Sequence, residues 1–334
     1  MTRRRALTLL AACGLVLCAV APAAEAAQPR TTPKLRVVVE PAAGYGFLDH
    51  AVTAAHHQVL VELYELADAT MEADLAAAVQ RHVTVQVLLD KDYNAGYVNQ
   101  PAFAFLTAHH VAVHWTEATH IFHEKAFVVD ATAYVGTGNL EAKYYATTRD
   151  FWVVDTQQPD VAAVTATFRH DWPGAAPAPG AKGTDLVWSP GAEPMVLALI
   201  ARAHHTISLE SEELSAKGVI SALVAAVHRH VVVHVTMTYS SEWRSAFDTL
   251  VAAGVQVHVD HGETPIYVHA KALCVDCTTG THPTGQVLVG SQNLAPYSLT
   301  RNRELSIETA APSVISPVAM TLAKDFAAAP PYVP

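Results

Sequence analysis

Between Leu35 and Phe326 the chain repeats itself once: the stretch from Leu35 to about Pro173 recurs from about Asp185 onward. His56-His57 precedes Val59-Leu60-Val61 as His204-His205 precedes Ile207-Ser208-Leu209. Arg81-His82 leads into Val83-Thr84-Val85-Gln86-Val87 as Arg229-His230 leads into Val231-Val232-Val233-His234-Val235, and both matches share an offset of 148 residues. Val111–His114 matches Val255–His258 at an offset of 144. Self-similarity of that length marks a duplicated domain rather than a short-period solenoid. Whatever architecture the chain adopts, it must adopt twice.

Within each copy, β-branched runs alternate with Ala-rich helical stretches such as Met71–Val79 and Val219–Val227. That alternation predicts two similar α/β domains, each a mixed sheet flanked by helices. The Pro- and Gly-rich stretch Trp172–Gly180 reads as the connection between them. The expected boundaries are a first domain over 28–173, a linker over 174–184 and a second domain over 185–334. Of 334 residues, 51% are hydrophobic and 16% charged, which is ample for two cores and excludes a disordered chain.

Residues 1–27 read as a secretory signal peptide. Arg3-Arg4-Arg5 precede an apolar run from Ala6 to Val20, and small residues follow through Ala27. The run is too short to span a membrane comfortably, and no later stretch reaches that length. A secreted or periplasmic protein without a transmembrane segment is expected, and a duplicated chain needs no second copy, so a monomer suffices. Removing residues 1–27 shifts the net charge from −10 to −12 and leaves two cysteines, Cys274 and Cys277. Because Cys274 lies in the strand-like run Ala272–Val275, two separate, partly buried thiols are expected rather than a bond. A bond would require the chain to turn at Asp276.

Of the 19 histidines, His82, His114, His230, His234 and His258 fall at strand starts or on strand faces, where structural roles are expected. His56-His57, His109-His110 and His204-His205 end helical stretches, where an imidazolium suits the negative terminus. Two histidines stand apart. His123-x-Lys125-x4-Asp130 recurs as His269-x-Lys271-x4-Asp276, with an offset of 146 at each polar position. Two residues apart on a strand, His and Lys point to one face and can reach one ligand.

Each motif is followed by a Gly-hydroxyl-x-Asn cluster, Gly136-Thr137-Gly138-Asn139 and Gly290-Ser291-Gln292-Asn293, and then by an acid, Asp150 and Glu304, thirteen residues past the hydroxyl. Glycine allows close backbone approach, and hydroxyl and carboxamide groups offer neutral donors to an anion. The acids suit orientation of a histidine tautomer. The set fits a phosphodiester. Lys125, Lys271, Asn139 and Asn293, with Thr137 and Ser291, hold phosphate oxygens, one histidine attacks phosphorus, and the other protonates the leaving oxygen. No metal or other cofactor is expected.

At these residues the chain resembles the phospholipase D superfamily, whose duplicated His-x-Lys-x4-Asp motif this is, and bacterial members in particular around Gly290–Leu294 and Arg301–Leu305. The resemblance spans essentially the whole chain after the signal. It implies a two-step reaction through a phosphohistidine where the two halves meet, with His123 as nucleophile and His269 as acid, then base. It implies that Asp150 and Glu304 buttress the histidines, each in its own half or across to the other. Asp130 and Asp276 belong to the motif, with a structural role as an alternative.

The expected activity is that of a phospholipase D, with a glycerophospholipid at a membrane or micelle surface as substrate. The alternative is a secreted endonuclease of the same superfamily. The acidic balance, 31 Asp and Glu against 21 Lys and Arg, counts against a long polyanion groove. A non-catalytic anion-binding or His-rich metal-binding module is a remoter reading. Tyr144, Tyr145, Tyr267 and Tyr297 either flank a lipid headgroup or simply pack.

Overall fold

The computed structural model describes residues 34–334 apart from 93, 94 and 263. The expected signal peptide lies outside the described residues. Among the described residues, no helix is long and apolar enough to cross a membrane.

The first copy forms β1 (Leu35–Glu40), β2 (Gln58–Leu63), β3 (Thr84–Leu89), β4 (Ala112–Trp115), β5 (Lys125–Val129), β6 (Thr132–Gly136) and β7 (Thr148–Asp155), ordered β1-β7-β6-β5-β2-β3-β4 in one sheet. The second forms β8 (Leu186–Ser189), β9 (Thr206–Glu210), β10 (Val232–Thr238), β11 (Gln256–Asp260), β12 (Ala272–Val275), β13 (Gln286–Gly290) and β14 (Glu304–Thr309), ordered β8-β14-β13-β12-β9-β10-β11. The order is the same twice. In each sheet the last three strands of that order run parallel and the others antiparallel, so both sheets are mixed.

Strand alternation sorts side chains into three apolar layers. Val59, Val61 and Leu63 of β2 face a layer covered by the helices Gly46–Thr53, Ala69–Gln80 and Ala95–Ala108. Ile207 and Leu209 of β9 face the matching layer of the second half. Between the sheets lies a third layer, holding Leu60, Val128 and Val153 from one side and Ala272, Val289 and Ile307 from the other. Helices Gln158–Asp171 and Pro312–Ala328 supply Phe168 and Leu322 to it.

The helix ends explain several histidines. Helix Ala69–Gln80 opens on Asp68, whose side chain accepts from the Thr70 and Met71 N–H groups. It closes with His82 in the left-handed region (φ 65°), while His82 N–H donates to Val79 C=O and Val83 N–H to Ala78 C=O. Helix Lys217–His228 ends identically through His230 (φ 66°), and Ala95–Ala108 through His110 (φ 61°). Thus His82 and His230, expected at strand starts, are helix stops. His109 Nδ1 bonds the helix-terminal carbonyl of Phe105 at 2.8 Å, in line with its expected place.

One further expectation is corrected. The chain does turn at Asp276 (φ 50°), which brings the Cα atoms of Cys274 and Cys277 to 5.8 Å, and the two thiols form a disulfide. Residues 174–184 contain no helix or strand, yet they are held down: Ala178 C=O accepts from Arg303 and Ala181 C=O from the Trp188 indole.

Candidate active site

Each His-x-Lys motif enters its sheet beside the other copy. Arg303 N–H donates to Ile121 C=O, so the residues before His123 run along the start of β14. Tyr267–Val268, just before His269, pairs parallel with Thr148–Arg149 of β7. Both acids therefore cross. His123 Nδ1 lies 3.0 Å from Glu304 Oε2, and His269 Nδ1 lies 2.8 Å from Asp150 Oδ1. The pairing that the sequence left open is between halves in both cases.

Behind the acids stand the hydroxyls. Thr137 Oγ1 donates to Asp150 Oδ1 at 2.6 Å and accepts from Phe151 N–H at 2.9 Å. Ser291 Oγ accepts from Leu305 N–H at 3.1 Å, and Ser298 and Asn302 donate to Glu304 Oε1. Thr137 and Ser291 are fully buried. They were expected on phosphate; the geometry places them on the strands that carry the acids. Gly138 is required by crowding, since a Cβ there would fall 2.6 Å from the Tyr45 hydroxyl and 2.7 Å from the Asp150 carboxylate.

Asp130 and Asp276 are not brought to the histidines. Each sits at the far end of the strand that its motif opens, with φ 50°. The Asp130 carboxylate accepts from the N–H groups of His56, His57 and Gln58, and Asp276 from those of His204, His205 and Thr206. Five extended residues, about 16 Å, separate them from the lysines' end. They are corrected from the catalytic set to clips that tie the hairpin to β2 and β9. This also reassigns His56-His57 and His204-His205, whose backbone amides are what the clips hold.

His123, Lys125, His269 and Lys271 form one buried cluster, in which Lys125 and Lys271 each lower the proton affinity of His123. Burial and then the two ammonium groups hold His123 well below the ordinary imidazole range. Burial, then Lys271, lowers Lys125 to about 7, and its Nζ donates to His123 C=O at 2.7 Å. Burial raises Glu304 to about 7. A neutral His123 that donates from Nδ1 to Glu304 keeps its Nε2 lone pair free.

Asn139 Nδ2 donates to Glu65 Oε2 at 2.7 Å, and the buried Oδ1 atoms of Asn139 and Asn293 have no protein partner among the described residues. A cavity of about 640 Å³ opens beside His269. Tyr45, Tyr144, Tyr145 and Tyr267 line it with Glu65, Glu141, Asp150 and Glu212, whereas Tyr297 is absent from the lining and lies exposed beneath the Arg301 guanidinium. Sequence reasoning missed Glu212, whose Oε2 lies 2.9 Å from Lys271 Nζ and 3.4 Å from His269 Nε2. Although burial pushes its carboxyl up, His269 and Lys271 hold it well below the usual range.

Two like α/β sheets with paired His-Lys clusters and exchanged acids define a duplicated phosphoryl-handling fold. The family model described as "Cardiolipin synthase, PLD-like domain" matches residues 48–172 and 196–328, and the chain belongs to that family, within the phospholipase D superfamily of phosphodiester-modifying enzymes. Among solved structures, polyphosphate kinase from Porphyromonas gingivalis is 14% identical with a TM-score of 0.67, covering 86% of this chain and 46% of its own. The chain thus spans about half the length of that kinase. Phosphatidylserine synthase from Haemophilus influenzae is 11% identical with a TM-score of 0.65, covering 87% of this chain and 86% of its own. At such identities the likeness is one of fold. No curated protein sequence matches the chain.

Proposed function

We propose that the chain is a phospholipase D-type phosphodiesterase that passes the phosphatidyl group of a glycerophospholipid through His123. In the first step His123 Nε2 attacks phosphorus. The bond from phosphorus to the headgroup oxygen breaks, and that oxygen takes the Nε2 proton of His269. In the second step His269 accepts a proton from water or an alcohol, whose oxygen attacks phosphorus and releases His123. Lys125, Lys271, Asn139 and Asn293 hold the non-bridging oxygens, while Glu304 and Asp150 fix the two rings from across the halves.

The observation that carries this reading is the double crossing, His123 to Glu304 and His269 to Asp150, in which each acid engages Nδ1 and leaves Nε2 of its ring for other contacts. The choice of lipid rests on the cavity. Four carboxylates around its wall, Glu65, Glu141, Asp150 and Glu212, against one ammonium, Lys143, repel a second phosphate, as a nucleic acid would bring, but tolerate one phosphodiester with an uncharged or cationic end. The test is incubation with phosphatidylcholine and ethanol, in parallel with single-stranded and plasmid DNA, with and without EDTA. Phosphatidylethanol that forms undiminished under chelation is expected. Cleaved DNA without any phosphatidyl product overturns the lipid reading.

A further inference from the structure

The two halves differ in charge at the position that follows β2 and β9 beside the His-Lys pairs. β2 continues through Glu62-Leu63-Tyr64-Glu65 and β9 through Glu210-Ser211-Glu212-Glu213, so Tyr64 and Glu212 are equivalents at the duplication's offset of 148. The Tyr64 ring stands edge-on to His123 at 4.7 Å, with Lys125 Nζ 5.0 Å from its centroid. At the same place in the second half, Glu212 sets a carboxylate against His269 Nε2 and Lys271 Nζ, steadied by the Tyr267 hydroxyl, which donates to its Oε1 at 3.2 Å. His269 therefore has a carboxylate at each ring nitrogen, Asp150 at Nδ1 and Glu212 at Nε2. His123 meets Glu304 at Nδ1 and two lysines, with Glu212 acting on it from farther away.

We infer that Glu212 is a positioning residue that makes the histidines unequal: it stands in for the substrate phosphate on Lys271 and His269, presets His269 as the proton donor, and yields its place when substrate enters. This rests on the proposed phosphodiesterase reading, and it adds the residue that assigns the two roles. An aromatic edge cannot compensate an imidazolium, whereas an ionised carboxylate 3.4 Å from its Nε2 can. The charged groups around His269 are Asp150 from β7, Glu212 after β9, Lys271 beside β12 and His123 from the first half, with Glu65 and Glu141 on the same cavity wall. Of these carboxylates, Glu212 is the one set against both His269 Nε2 and Lys271 Nζ.

Two measurements on the full chain test it. The first needs no turnover: inorganic phosphate should bind Glu212→Gln about tenfold more tightly than the unaltered protein, because Lys271 is freed and one negative charge removed. Equal affinity overturns the stand-in. No phosphate binding by either protein points instead to failure of the phosphodiesterase reading. The second compares leaving groups. With phosphatidylcholine, Glu212→Gln should lose kcat by roughly a hundredfold, the low end of general-acid contributions, with KM unchanged or lower. With a p-nitrophenyl phosphodiester, whose leaving group needs no proton, the loss should nearly vanish. An equal loss on both substrates overturns the assignment. Glu212→Ser serves the same comparisons if the glutamine variant does not fold, and Glu212→Asp should restore most of the loss with phosphatidylcholine.

Discussion

At the scale of residues, the site depends on acids that reach histidines of the opposite half and on hydroxyls that reach those acids. Thr137 is the clearest case, because its one hydroxyl both donates to Asp150 and receives Phe151 N–H. Replacing it by Val removes a bond to a charged group, worth about 1.5 kcal/mol, or roughly tenfold in rate. Thr137→Val should therefore lower kcat/KM about tenfold, while Thr137→Ser should stay near the parent, as Ser291 already stands at the equivalent position. Steady-state kinetics on both variants decide it. The thirteen-residue spacing from hydroxyl to acid was legible in the sequence. Its meaning was not, since it arises from the pairing of β6 with β7, where Gly136 faces Trp152 and Thr137 therefore falls beside Phe151. Glu212 was hidden for another reason: it stands among Glu210 and Glu213, and only alignment with Tyr64 sets it apart.

At the scale of elements, the terminal Asp of each motif belongs to the hairpin, not to the chemistry. Asp130 closes the turn between β5 and β6 and gathers three amides ahead of β2, and Asp276 does the same ahead of β9. Asp130→Ala strands those amides and puts a β-carbon residue without a side-chain acceptor at positive φ. A loss of about 2 kcal/mol in unfolding free energy is expected, with kcat of the folded protein little changed. Denaturant melts beside activity at low temperature separate the two effects, and an inactive but fully stable variant would return Asp130 to the catalytic set. The α/β alternation, the mixed sheets and both His-x-Lys pairs were readable because periodicity and spacing are local properties. The Cys274–Cys277 bond was misjudged because it depends on the single left-handed residue Asp276, which spacing alone does not reveal.

For the whole molecule, the layer between the sheets carries more than apolar side chains. Arg303 grips Asp171 with Nε and Nη2, at 2.7 and 3.0 Å, and Arg149 grips Asp325 in the equivalent place. Each arginine directly precedes the acid that crosses to a histidine, so one strand start makes both the structural and the functional contact between halves. Burial raises Glu62 and Glu210 well above the carboxylate range, and Glu124 and Asp90 to about 8. Unfolded, all four titrate near 4, so between about pH 4 and 8 the folded chain holds more protons and stability falls as pH rises. His123, Lys125 and His234, all lowered, act in the opposite sense but are outnumbered by the raised carboxylates, to which Glu304, Glu65, Glu213 and Asp155, each at about 7, also belong. Asp130, Asp276 and Glu212 are lowered carboxylates, whose contribution is lost only below about pH 4. The midpoint of calorimetric unfolding should be higher at pH 6.5 than at pH 8; the reverse order would mean that these carboxylates are ionised in the fold.

None of the contacts between halves could be read from either copy alone, because they exist only once two sheets have packed. The most direct test of the account is to catch the covalent intermediate on a named residue. His269→Ala, mixed with the p-nitrophenyl ester of a phosphatidic acid, keeps the nucleophile and dispenses with the acid, but it lacks the base that would release the adduct. Rapid quenching and peptide mass mapping should find the phosphatidyl group on His123, accumulating as p-nitrophenol is released in a single burst. Release without a burst and without an adduct, or an adduct on any other residue, would contradict it.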